Sequence, residues 1–182
     1  RTKELGLSHF AVTDQGFLGS VLKTYHMAKK KDIKIIAGME IYFKDPNCDI
    51  LRGTEADKCK YFQLFIHCLD QPAYQKLVKL ASKDRPVPLI LNEQEYPLFT
   101  WEDLEELSKF NVTVTTSGVN CLVGKQFLLG RGDLGLKIVD KLIKLFGHEN
   151  LYLSIIPNKY THYWDAIVTA TLGYDKIEMP AN

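Results

Sequence analysis

AVTDQGFLGSVLKTYHMAKKKDIKIIAGMEIYF, the stretch from Ala11 to Phe43, decides the fold of this chain. It reads as strand, turn, helix, strand, with a polar cluster at the carboxyl end of each strand. His9 to Thr13 is a short β-rich run that stops at Asp14-Gln15-Gly16. A segment of helical period follows to about Lys31, and Ile33 to Ile36 opens a second apolar run ending at Gly38-Met39-Glu40. In α/β folds ligands and catalytic groups collect at the carboxyl ends of parallel strands. The pattern therefore puts Asp14, Gln15 and Glu40 on one rim.

Outward from this stretch the alternation continues. A helix is expected at Thr2-Lys3-Glu4-Leu5. Residues 44–60 read as a surface excursion, and Tyr61 to Cys68 as a third strand. Asp70-Gln71-Pro72 starts a helix, with Asp70 as cap and proline in the first turn, and Tyr74, Leu77, Val78 and Leu80 form its apolar stripe. Residues 84–99 carry Pro86, Pro88 and Pro97 and read as a second excursion, irregular except for a short strand at Leu89-Ile90-Leu91. Thr100 with Asp103 matches a capping box, opening a helix to about Lys109. Val112 to Thr116 is a strand. Helices follow from about Leu122 to Leu129 and from Asp133 to Phe146, the second stopped by Gly147. Leu151 to Ile156 (strand), Tyr160 to Leu172 (helix) and Lys176 to Met179 (strand) complete the series. Strands alternating with helices predict an α/β fold with a parallel sheet or barrel, in one domain over residues 1–182.

Composition narrows function mainly by exclusion. At 46% hydrophobic and 25% charged the chain matches ordinary globular proteins. A net charge of +1 does not mark it as a nucleic-acid binder. No apolar run approaches the roughly 20 residues of a membrane helix, and there is no signal-peptide pattern. The chain opens on Arg1 and reads as a fragment of something longer. Lys29-Lys30-Lys31 closes a helix, where lysine complements the helix dipole. Cys48, Cys59, Cys68 and Cys121 contain no C-x-x-C pair, so reduced thiols in a cytoplasmic setting are expected rather than structural zinc. Nucleophile-elbow and P-loop signatures are missing, and Gly130-Arg131-Gly132-Asp133 reads as a turn before a helix capped by Asp133.

The Thr13-Asp14-x-Gly16 turn, the Ala28-Lys29-Lys30 helix end and the IKIIAGMEIY strand resemble a PHP domain, more narrowly those of the bacterial replicative family C polymerases, the DNA polymerase III alpha subunits. Weaker similarities follow at Lys3 to Leu7, Gln63 to Ile66, Tyr74 to Leu77, Ser117 to Cys121, and Phe146-Gly147 with Asn150 to Leu153; little is similar beyond Pro157. The resemblance implies a distorted (β/α)7 PHP-type barrel, incomplete in this chain. It also implies a metal-dependent phosphoesterase site of about nine His, Asp, Glu and Cys ligands, which hold two or three cations so that a bridging water is acidified and phosphate charge neutralised.

Carried over position by position, that ligand set is poor. Gln15 stands where the family has the histidine of Thr-Asp-His-Gly, and Gln63 where it has a strand histidine; Ser154 replaces an acid. Only Glu40 and Cys121 remain as ligand types. An amide is a weak ligand beside imidazole for zinc or manganese. No bound metal and no catalytic residue are therefore expected, with Gln15, Glu40, Gln63 and Cys121 as vestigial positions and Thr13, Asp14 and Gly16 as the rim turn. The residues also have plain structural readings: Asp14 capping a helix or closing its turn, Glu40 paired with a rim lysine, and Cys121 an inert buried thiol. His9 and His67 read as core histidines, His26 as partly exposed, and His148 and His162 as superficial.

What the resemblance implies is a bacterial, phage or prophage DNA-directed DNA polymerase, a nucleotidyltransferase of DNA replication that uses Mg in a later domain. This chain would be its inactive structural and docking part. The implied partners are the rest of the polymerase chain, DNA through that chain, and a proofreading exonuclease. The alternative is an active PHP phosphoesterase or 3′–5′ exonuclease using Mn or Zn. An unrelated (β/α) enzyme is the remaining reading.

Overall fold

A computed structural model describes residues 1–44, 61–86, 88–91, 93–118, 121–128 and 130–154. Its elements are β1 (His9–Gln15), α1 (Val21–Lys29), β2 (Lys34–Phe43), β3 (Phe62–Cys68), α2 (Gln71–Ala81), β4 (Leu89–Leu91), β5 (Gln94–Tyr96), β6 (Leu98–Phe99), α3 (Trp101–Leu107), β7 (Val112–Thr116), α4 (Leu122–Leu128), α5 (Gly132–Phe146) and β8 (Leu151–Tyr152). Residues 45–60 of the first excursion, the end of the strand expected at Leu151 to Ile156, of which β8 is the start, and the helix and strand expected after it lie outside the described residues, as do Cys48, Cys59 and His162.

A six-stranded sheet runs in the order β1-β2-β3-β7-β8, with β6 beside β2. β1 and β6 lie parallel to β2, and β8 parallel to β7. β3 is antiparallel to both its neighbours, β2 and β7. The sheet is thus mixed α/β, not the parallel sheet that the alternation of elements predicts. The reason lies in one connection. β3 begins where β2 ends, with Phe43 opposite Phe62, so the chain returns at the same end of the sheet and needs no crossover.

Period-2 alternation sorts the strands into two faces. Met39, Ile41 and Phe43 of β2, Phe62, Leu64, Ile66 and Cys68 of β3, and Val112 and Val114 of β7 all point into one core. Helices cover that face through Leu77 and Leu80 of α2, Leu104 and Leu107 of α3, Leu122 of α4, and Ile138, Val139, Leu142 and Phe146 of α5. The α5 positions recur at helical spacing, which buries one stripe and leaves Lys137, Asp140 and Lys144 exposed.

Several starts and stops follow the local chemistry. Asp70 accepts the Ala73 N–H at 2.9 Å, and Pro72 sits in the first turn of α2. Thr100 and Asp103 form the reciprocal capping box of α3. Gly147 ends α5 at φ +82. Three readings need correction. The amino-terminal segment is a turn rather than a helix: Leu5 N–H bonds Arg1 O, and Gly6 at φ +70 turns the chain away. α5 has Arg131 at its cap position, with Asp133 in the first turn. Residues 89–99 hold three strands, a β4–β5 hairpin and β6, instead of one.

The 84–99 segment is anchored by a buried ion pair. Asp103, wholly buried, takes Arg85 at 2.7 Å and the more exposed Lys83 at 3.1 Å. Arg85 also donates to Leu98 O at 2.8 Å and Leu80 O at 2.9 Å, and stacks over Phe99 at 4.7 Å. One guanidinium therefore ties the end of α2, strand β6 and the start of α3 together.

Candidate functional site

The face of the sheet away from the helices carries the polar residues of the rim. In β1 and β2, Thr13 pairs with Gly38 and Gln15 with Glu40. Across the antiparallel ladder Tyr42 pairs with Gln63 and Glu40 with Phe65. Residues directly opposite share a face, so Gln15, Glu40, Tyr42 and Gln63 converge. Glu40 is only 8% exposed, and both the Gln15 and Gln63 side chains hydrogen-bond its carboxylate. Among the described residues no lysine or arginine pairs with it, so the amides occupy the place that a rim lysine was expected to take. Burial raises its pKa, and the two amide bonds partly offset that rise.

Tyr42, missed in the sequence, completes this cluster. It is buried, and its hydroxyl pKa is pushed up to about 12, first by burial and then by the Glu40 charge; Tyr96 and Tyr61 act in the same direction, and a bond from Gln63 opposes them. Tyr61 and Tyr96 meet its ring edge-on, each at 5.1 Å between centroids. The available signal was its position two residues after Glu40, which puts both side chains on one face.

Asp14 points to the opposite side, paired with Met39. Its carboxylate accepts the Ser20 N–H at 2.8 Å and the Ser20 hydroxyl at 2.7 Å, closing the loop before α1 and delaying the helix to Val21. Gly16 sits at φ +68, with its N–H on Glu40 O at 2.8 Å, and a Cβ there would lie 2.3 Å from the Tyr96 ring. The turn glycine is needed for both backbone and space. Gly38 is equally tight and its neighbour less able to give, since a Cβ would come 2.3 Å from Ile66 O in the adjoining backbone. Gly38→Ala should lower stability by about 1–3 kcal/mol, because the strand pair must spread. Urea unfolding checks this, and an unchanged midpoint would rule it out.

Cys121 is buried in the hydrophobic core behind the sheet, where its Sγ accepts the Gly124 N–H at 3.0 Å and contacts the Thr116 hydroxyl. It is not brought to Glu40. Burial raises its pKa, and burial with the nearby Asp70 charge pushes Cys68 up to about 12, so both thiols are held protonated. His9 is exposed, not a core histidine: it opens β1, which among the described residues is the last strand of the sheet on its side, and it bonds Ser8 at 2.7 Å. His67 is half-buried on the polar face, and burial lowers its pKa. His26 and His148 are exposed. Among the described residues no three His, Cys, Asp or Glu side chains gather into a group able to hold a metal ion.

A mixed α/β domain with a polar rim at its strand ends, built on Thr-Asp-x-Gly and Gly-x-Glu, defines the class. The chain belongs to the PHP domain family, which matches residues 1–158. Among its relatives is the DNA polymerase III subunit alpha of Borreliella burgdorferi, 26% identical over 155 residues, covering 85% of this chain and 13% of that one. The subunit of the same name from Helicobacter pylori is 37% identical over 82 residues, covering 45% of this chain and 6% of that one. This chain therefore spans a small fraction of the length of these curated relatives.

Proposed function

We propose that this PHP domain is part of a replicative DNA polymerase III alpha subunit, closes as a distorted (β/α)7 barrel, and serves there as a catalytically inactive structural and docking module. The observation that carries this reading is the hydrogen bonding of Glu40 by Gln15 and Gln63. An active site of the family kind needs imidazole and carboxylate donors around shared cations. Here two neutral amides occupy the carboxylate's partner positions, and Cys121 is turned into the core. The whole polymerase would extend DNA from deoxynucleoside triphosphates through another domain, with the rest of that chain and a proofreading exonuclease as partners.

The test is metal content and hydrolysis together. After loading with Mn²⁺ or Zn²⁺ and extensive dialysis, the chain should retain no stoichiometric metal. It should not hydrolyse bis(p-nitrophenyl) phosphate above the rate of buffer containing the same metal. Metal-dependent hydrolysis that Glu40→Ala abolishes would overturn the proposal in favour of a phosphoesterase.

A further inference from the structure

A cleft of about 460 Å³ opens between α1 and α2, at the end of the sheet opposite Glu40. Ile35 and Ala37 form its floor, Leu22 and Tyr25 of α1 one wall, and Leu69 and Tyr74 the other. Its size lies within the range of about 300–1,000 Å³ typical of built ligand sites. The apolar walls are open to solvent: Leu22 is 65% exposed, Leu69 46% and Tyr25 44%.

Charge marks what this surface would accept. Lys23, Lys29, Lys30, Lys31 and Lys34 stand exposed along and just after α1, against the single acid Asp32, giving residues 20–34 a net charge of +4 in a chain whose total is +1. Among the described residues none of these lysines is ion-paired, and Lys29 Nζ lies over the Tyr25 ring at 5.8 Å, on the cleft wall. The carboxylate on the facing side, Asp70, is engaged with the Ala73 N–H. Asp70 is the only charged residue lining the cleft, and the lysines flank it on the α1 side; an apolar concavity with a basic flank selects a segment with apolar anchors and acidic residues on that side. A phosphate backbone would satisfy the lysines but has nothing to place in the cleft.

We propose that the α1–α2 cleft is a docking groove for an acidic, amphipathic peptide segment of a partner protein, with apolar anchors at helical spacing filling the cleft and Asp or Glu side chains meeting the flanking lysines. This deepens the docking role proposed above and rests on it, but the groove can be tested without reference to catalysis. Because Ile35 and Ala37 lie on the core face of β2 and Glu40 on the other, a partner seated in the groove leaves the rim untouched.

The experiment is selection from a random 12-residue peptide phage library on the 182-residue chain, counter-screened on a Leu22→Ser/Leu69→Ser variant and a Lys29→Glu/Lys30→Glu variant. All four side chains are exposed, so both variants should keep the circular dichroism spectrum and melting temperature of the parent. Enriched sequences should combine Asp or Glu with apolar residues at i, i+3 or i+4. Synthetic versions should bind each variant about tenfold or more weakly by fluorescence anisotropy. Failure to enrich, enrichment of basic or uncharged sequences, or equal binding to the variants would overturn the proposal. Displacement of the peptide by a single-stranded 20-mer DNA that also binds the serine variant normally would assign the lysines to nucleic acid instead. Loss of the groove in this test would leave the metal and hydrolysis result unaffected, so the two readings fail separately.

Discussion

Replacing Asp103 by alanine should cost about 3–5 kcal/mol of folding stability, the range for breaking a buried charge pair by removing one partner. The loss comes less from the missing attraction than from what remains. Arg85 would stay in a largely buried site, with side-chain exposure of 9%, and no counter-charge at its Nη1. The Thr100 N–H, now 3.0 Å from Asp103 Oδ2, would lose its acceptor at the helix start. Lys83 contributes little, because half of its side chain is in water. Burial works to raise the Asp103 pKa, but Arg85, the Thr100 N–H and Lys83 together hold it below the usual carboxylate range. The sign follows: a depressed folded pKa gives stability that is complete above the unfolded value, about 3.9, and is lost as pH falls through the folded value. Urea unfolding between pH 2 and 7 should show the acid-side loss in the parent and a flatter slope in Asp103→Ala. The double variant Arg85→Met/Asp103→Ala should recover part of the loss. A single-variant cost below about 1 kcal/mol would show that the pair is not holding the 84–99 segment.

That segment also shows where a sequence stops being legible. The capping box over Thr100 and Asp103 can be read locally, because its two partners are three residues apart. The second role of Asp103, as the buried acceptor for Arg85, depends on the chain doubling back over residues 89–99. The hairpin there is hidden by three prolines that argue against regular structure. β3 was equally legible as a strand and illegible in direction, since its alternation is the same whichever way it runs. At the rim, the register that brings Gln15, Glu40 and Gln63 together follows from period-2 alternation once the strands are neighbours. Cys121 was legible as an inert buried thiol, but it precedes a helix, and which way it turns is settled by core packing around Thr116 rather than by any pattern along the chain.

Glu40 should behave as a destabilising charge at neutral pH, and two substitutions should move stability in opposite directions. Glu40→Gln removes the charge and keeps the shape. A buried glutamine can still bond both neighbours, since Gln15 and Gln63 each carry a donor and an acceptor end and one can flip to suit. Its stability at pH 7 should exceed the parent's by on the order of 1 kcal/mol, because a carboxylate no longer has to be held out of water. Glu40→Ala, in contrast, removes the acceptor shared by Gln15, which is exposed, and Gln63, which is half-buried, and should cost about 0.5–1.5 kcal/mol, the net worth of the hydrogen bonding lost. The pH dependence separates these causes. Burial raises the folded pKa of Glu40 above its ordinary 4.5, so its favourable contribution is complete below that value and is lost as pH rises through the folded value. The gain from Glu40→Gln should therefore vanish at pH 4 and be full at pH 7–8, whereas the loss from Glu40→Ala should persist at both. Thermal melts of the three proteins at those pH values decide it: a glutamine variant no more stable than the parent at pH 7–8 would mean that Glu40 carries its charge at no cost. That result would be expected if a cation sits beside it in the folded protein. The same measurement thus bears on whether two glutamines have replaced a metal site or merely border one.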